Sequence, residues 1–198
     1  VPDRIIGFAG SLRKKSYNRA LLEAARELAP EGMLVETIEI GELPFYNADV
    51  EAMGDPPSVA GFKAALQQAD GLLIATPEYN DGIPGLLGNA LDWASRLPGR
   101  APLAEKPVAV MGASPSQIGT ARAQHHLRQI LSHVHARTLP PPELLVAQAH
   151  HRFDPELRLT DDATRKLLRS LLERFSRWIE RERAAVQAER DLMARAPA

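Results

Sequence analysis

Three short apolar runs constrain this chain more than any other feature: Arg4 to Gly10 (RIIGFAG), Gly71 to Pro77 (GLLIATP) and Pro107 to Ser114 (PVAVMGAS). Each is too short for a buried helix and too evenly apolar for a one-faced strand. Each also runs into small or hydroxyl-bearing residues, as strands buried on both faces of a parallel sheet do. A fourth run, Leu34 to Ile40 (LVETIEI), alternates apolar and polar residues and suits a strand nearer a sheet edge. A fifth strand is expected within RTLPPPELLVAQAHH, near Glu143 to Ala147.

Helical stripes fill the intervals. Asn18 to Ala29 carries Leu21, Ala24, Ala25 and Leu28, and Ser58 to Ala69 carries Val59, Phe62, Leu66 and Ala69 at three- and four-residue spacing. Pro84 to Arg96 is predicted as a third helix with proline near its first turn, and Ala121 to Ala136 as a fourth. A last helix follows Thr160, with Asp161 and Asp162 in its first turn and a stripe from Leu167 to Ile179. Strands alternating with helices imply an α/β doubly wound sheet, five parallel strands in the order 2-1-3-4-5, with helices on both faces. In that order, ligands bind outside the carboxyl ends of the central strands. The loops after strands one, three and four are therefore where chemistry is expected.

With 198 residues, 44% hydrophobic and 25% charged, one domain and a full core are expected. Residues 1–182 are assigned to it and residues 183–198 to a charged helical extension or tail. The net charge of -1 gives no broad basic surface for nucleic acid or an anionic membrane. Without cysteine there is no disulfide, thiolate metal site or cysteine nucleophile, so redox chemistry requires a bound cofactor. No apolar run approaches a membrane span, and VPDRIIGFAGS lacks a secretory pattern, so a cytoplasmic location is expected.

The first loop, GSLRKKSYN, gathers Ser11, Arg13, Ser16 and Asn18 where a helix begins. Free N–H groups, hydroxyls and a guanidinium suit a phosphate, while Ser16 or Asn18 would serve equally as a helix cap. It is neither a Walker A loop nor a three-glycine dinucleotide turn. The second loop, from Pro77 to Pro84, offers the flat ring of Tyr79 and the amide of Asn80. Read alone, it is as much a turn as a ligand site. The third, GASPSQIG, places Ser116 where the hydrolase nucleophile elbow needs glycine. Its small residues Ser114, Pro115 and Ser116 could instead line a planar ligand. The six histidines lack HExxH spacing, and no metal site is expected.

Taken together, the blocks GSLRKKSYNRAL, LPFYNADVE, TPEYNDGIPGLLGNALDWASR and GASPSQIGTARAQHHLRQIL resemble the NADPH-dependent FMN reductase family of flavodoxin-like proteins, with its quinone, chromate and azo-compound reductases. The resemblance spans roughly residues 4 to 180. It implies FMN as cofactor, NADPH as co-substrate, a small-molecule acceptor (quinone, chromate, azo compound or free flavin), and a homodimer or homotetramer. Carried onto this chain, Ser11, Arg13, Ser16 and Asn18 would hold the FMN phosphate with Tyr17 beside them. Pro77, Glu78, Tyr79 and Asn80 would lie along the isoalloxazine, and Ser114, Pro115 and Ser116 would flank its other edge. The chain departs from the family at Gly88, where lysine is common, and at Pro115 and Ser116, where glycines are common.

The resemblance further implies that the reductant leaves before the acceptor takes the same stacking space, giving ping-pong kinetics, with no side-chain nucleophile. The alternative is a flavin-binding electron carrier or redox sensor acting on a protein partner, but dispersed acidic residues provide no docking patch. In the third helix, Ile83, Leu86, Leu87, Ala90, Leu91, Trp93, Ala94 and Leu97 spread beyond one stripe. One side could therefore meet the sheet and another a second subunit.

Overall fold

Alternating side chains on the three central strands feed two separate cores. In the computed structural model, which describes residues 1–96 and 101–195, strand β1 is Asp3–Ala9, β3 is Gly71–Ala75 and β4 is Pro107–Ala113. Ile5, Leu73, Ala75, Ala109 and Met111 face one side of the sheet, and Ile6, Phe8, Leu72, Ile74, Val108 and Val110 face the other. Both faces are covered, which is why these runs read as continuously apolar. Among the described residues strand β2, Met33–Thr37, pairs only with β1, and its pattern of buried and exposed residues is that of an edge.

The first face is covered by α1, Tyr17–Glu27, and by α6, Asp162–Arg195. The small residues there let the helices come close: a Cβ at Gly71 would lie 2.8 Å from the Phe175 ring. On the second face lie α3 (Pro57–Gln68), α4 (Gly85–Ala94) and α5 (Ala121–His133). Lys106 closes the end of α3, its Nζ donating to the Gln67 and Ala69 carbonyls at 3.3 and 2.5 Å, and burial lowers its pKa. A five-residue helix, α2 (Ala48–Ala52), is capped by Asn47. It is too short for a stripe to announce it.

All strand pairs are parallel, in the expected order β2-β1-β3-β4, but the fifth position is divided. Strand β5, Arg137–Thr138, pairs with β4 at Pro107 and Val108, and β6, Leu144–Val146, pairs with it at Met111 to Ala113. Pro140, Pro141 and Pro142 separate them because they carry no N–H to extend the ladder. The expected strand near residues 143–147 is β6, and the sheet has six strands instead of five.

Most of the apolar surface of α4 is internal. Leu87, Ala90, Leu91, Trp93 and Ala94 are buried, whereas Ile83 and Leu86 remain partly exposed; Leu97 lies outside the described residues. Trp93 and Asn89 clamp the LPFYN segment: Trp93 Nε1 and Asn89 Nδ2 donate to the Pro44 carbonyl at 2.8 and 3.0 Å. The Tyr46 N–H donates to Asn89 Oδ1 at 2.7 Å. Helix α6 runs through residue 182 without a break, and Arg183, just past it, pairs with Asp3 and Asp70.

Candidate functional site

Backbone hydrogen bonds hold the three loops beyond β1, β3 and β4 side by side. Gly10 N–H donates to the Ala75 carbonyl at 2.9 Å, Thr76 N–H to Met111 at 3.0 Å, and Ser114 N–H to Val146 at 3.0 Å. The approach is too close for side chains in places: a Cβ at Gly112 would lie 2.0 Å from Thr120 Oγ1 and 2.5 Å from the Thr76 carbonyl oxygen.

In the first loop Ser11 and Ser16 are buried while Leu12, Arg13, Lys14 and Lys15 are exposed. Ser16 is the N-cap of α1, its Oγ accepting the Arg19 N–H at 3.3 Å, and Ser11 Oγ accepts the Arg13 N–H at 3.4 Å. Each hydroxyl accepts one N–H and keeps its own hydrogen to donate. The cap and anion readings are therefore compatible, because one oxygen can serve both. Asn18 points inward: its Nδ2 donates to the Ala113 carbonyl at 2.9 Å, and its Oδ1 accepts the Ala113 N–H at 2.9 Å. This clasp joins α1 to the end of β4 and leaves one Nδ2 hydrogen for another acceptor. Tyr17 is partly buried, its ring 5.4 Å from that of Phe153.

The second loop contains a tight two-residue turn. Tyr79 and Gly82 exchange N–H to carbonyl bonds of 3.1 and 3.0 Å, and Asn80 and Asp81 between them have φ of 50° and 62°. Asn and Asp tolerate this left-handed region better than other side chains. Pro77 is buried beside Gly10, and Tyr79 and Asn80 are exposed at the tip. Glu78 turns away from them. Its Oε2 accepts the Arg122 and Ala123 N–H groups, at 2.9 and 3.0 Å, in the first turn of α5.

In the third loop Ser114 and Ser116 are linked through their hydroxyls at 3.1 Å, and Ser114 Oγ also accepts the Ser116 N–H at 3.1 Å. Pro115 and Ser116 are exposed, and the loop is anchored to residues 146–149 through main-chain bonds from Ala149 N–H to Ser114 and Gln148 N–H to Ser116. Gly88 lies away from these contacts: nothing nearer than Ile83, at 4.0 Å, would meet a Cβ there. Among the described residues no group of three His, Asp or Glu side chains is placed to hold a metal ion.

Sequence reasoning did not anticipate Arg122, Ala123 and His126 as supports of the second loop. The sequence pointed the other way, since a threonine before a helix reads as that helix's own cap. The residue before α5 is Thr120, but it follows Gly119 and takes φ 71°, so its side chain makes no cap. A helix without its own cap has N–H groups for another segment to satisfy.

The model of the NADPH-dependent FMN reductase family matches residues 4–151. An NAD(P)H-dependent FMN reductase of Pseudomonas aeruginosa is 46% identical over 180 residues, covering 91% of this chain and 97% of that one. A 2-hydroxy-1,4-benzoquinone reductase of a Burkholderia species is 39% identical over 181 residues, covering 91% and 98%. Among solved structures, the flavoenzyme NAD(P)H:(acceptor) oxidoreductase FerB of Paracoccus denitrificans superposes with a TM-score of 0.83 at 37% identity, covering 91% of this chain and 98% of FerB. Fold, loop arrangement and likeness along almost the whole chain agree: the chain belongs to the NADPH-dependent FMN reductase family, oxidoreductases that work with FMN and NAD(P)H.

Proposed function

We propose that this chain oxidises NADPH and reduces a small acceptor, foremost a quinone, at an FMN held by the three loops. The observation carrying this reading is the pair of buried serine hydroxyls, Ser11 and Ser16, beside Arg13 at the start of α1. Their donor chemistry fits a phosphate dianion: two O–H donors, a guanidinium and the unsatisfied N–H groups of a helix start. Quinone is placed first because relatives at 39% identity from Burkholderia, Pseudomonas putida and Escherichia coli bear quinone reductase names.

Bound FMN supplies the two-electron chemistry, as hydride acceptor and then donor. The residues bind and orient. Ser11, Arg13 and Ser16 hold the phosphate, Pro77, Tyr79 and Asn80 present a fixed edge to the ring, and Ser114 to Ser116 present hydroxyls and backbone groups to its other side. No side-chain nucleophile is required. A cytoplasmic setting and the assignment of residues 1–182 to the reductase domain belong to the same proposal.

A symmetric dimer or tetramer belongs to it as well, formed through α4 and α5. Supporting it is the groove between these helices, about 500 Å³, lined by Gly88, Leu91, Ile130 and Val134 with Asp92 and Arg96 at its margin. Sedimentation at low micromolar concentration should show a species heavier than 21.7 kDa; that mass alone would remove the oligomer.

The main test uses the purified, FMN-supplemented chain with NADPH or NADH, against benzoquinone, an azo dye, chromate and free FMN in turn. NADPH should bleach the bound yellow chromophore and benzoquinone should restore it. A protein with no FMN-dependent NADPH oxidation overturns the proposal, and fast turnover confined to another acceptor replaces quinone by that acceptor.

A further inference from the structure

A loop that offers backbone and ring edges to a planar ligand must be held by something other than the ligand. The tip of the second loop closes on itself through the Tyr79–Gly82 bonds, but Tyr79, Asn80 and Asp81 are exposed and those bonds do not fix where the turn sits. Its rigid support comes from α5, more than forty positions further along the chain. Glu78 accepts two N–H groups there, Asp81 Oδ1 lies 2.5 Å from Arg122 Nη1, and Ile83 N–H meets His126 Nδ1 at a long 3.5 Å. The three contacts differ in strength. The Arg122–Asp81 pair is exposed on both sides and contributes little in water. The His126 contact is at the limit of a hydrogen bond. Glu78 accepts two well-formed bonds, at 2.9 and 3.0 Å, from a helix terminus that has no cap of its own, so this carboxylate dominates.

We infer that Glu78 is a positioning residue: its carboxylate caps α5 and thereby sets the pose of the Tyr79–Gly82 turn against the flavin, without touching the flavin itself. The inference rests on the proposal above that this turn faces FMN, and it revises the place given to Glu78 by family resemblance. A strand-end loop and a helix that would otherwise move independently become one body, and α5 becomes part of the site's scaffold. The loop's pose then depends on α5, which also borders the α4/α5 groove.

The test compares the full wild-type chain with Glu78→Ala, Glu78→Gln and Asp161→Ala, the last removing the cap of α6, a helix on the opposite face of the sheet from α5. FMN affinity is read from quenching of flavin fluorescence, and the pose of the turn from amide hydrogen exchange of Tyr79 and Gly82 in the protein without FMN. Glu78→Ala should weaken FMN binding by on the order of tenfold and speed exchange at both amides, the loss expected when a charge-assisted contact goes. Glu78→Gln keeps an acceptor oxygen and should restore most of both. Asp161→Ala should lower the melting temperature with FMN affinity and turn exchange unchanged.

FMN affinity within twofold of wild type for Glu78→Ala, or unchanged exchange at the turn, overturns the inference. So does a loss of affinity that tracks melting temperature equally in Glu78→Ala and Asp161→Ala, which marks general destabilisation. If Glu78→Ala does not fold, Glu78→Gln carries the test through the visible circular dichroism of its flavin, which should match wild type. A changed spectrum with an intact fold then counts against the role assigned to the acceptor oxygen. Wild-type protein that takes up no FMN overturns the proposed function, and hydrogen exchange still decides whether Glu78 holds the turn.

Discussion

The first and second loops present their groups in opposite ways. Around Ser11 and Ser16 the fixing bonds span two or three residues, from Arg13 N–H to Ser11 and from Arg19 N–H to Ser16. The second loop is fixed across 44 and 45 positions, from Glu78 to the first turn of α5. A locally built cradle depends on its own helix start, whereas a remotely braced loop depends on where α5 packs. Substitutions on α5 can therefore reach the second loop at a distance and leave the first almost untouched.

Asn18 is where that contrast is expected to break most sharply, because its clasp to Ala113 makes one element of the first loop depend on β4. Asn18→Leu would leave the N–H and carbonyl of Ala113 buried without partners. The expected cost is about 2–4 kcal/mol, measured by urea unfolding without FMN. A loss below about 1 kcal/mol would show that water or a shifted side chain replaces the clasp. Next is Arg13, exposed and local. Arg13→Ala should weaken FMN binding roughly 10- to 100-fold, the range of a charge-assisted phosphate contact, with the melting temperature unchanged. A falling melting temperature would show that Arg13 also supports the fold.

The turn itself sharpens the comparison at a smaller scale. Asn80→Val places a β-branched side chain at φ 50° and should cost about 1–2 kcal/mol, while Asn80→Gly should be close to neutral in thermal unfolding. Equal melting temperatures for the two would mean that the turn relaxes freely despite Glu78.

Asp161 provides a local reference outside the site. Its carboxylate accepts the Thr164 hydroxyl and N–H, at 2.6 and 2.8 Å, and those bonds, with Arg152, hold its pKa below the ordinary aspartate value. A lowered folded-state pKa means stability that is present above the unfolded value and lost as pH falls through the folded one. Asp161→Ala should therefore cost about 1 kcal/mol near neutral pH, and the difference from wild type should shrink in acid. A gap that stays constant down to low pH would assign the effect to lost packing.

These contrasts also explain what could be read in advance. β1, β3 and β4 were legible because burial on both faces leaves only apolar and small residues from Ile5 to Ala9, Gly71 to Ala75 and Val108 to Ala113. Ser16 was legible as a cap because that bond acts within one turn. Asn18 was legible as a polar residue in the right place but not as a clasp, since its partner is the backbone of Ala113, whose identity carries no signal. Glu78 was hidden for the same reason: its partners are the N–H groups of Arg122 and Ala123. The divided fifth strand had its signal in the proline run, but where pairing resumes is set by the length of β4, a tertiary quantity.

The proline run also has a consequence for how copies of this chain meet. An outer strand with open N–H and carbonyl groups is a template on which another chain can add a strand and begin to aggregate. Here the outer position consists of two short pieces with three consecutive residues between them that have no N–H to donate. Pro140 to Pro142 therefore act as a guard against sheet extension on that side.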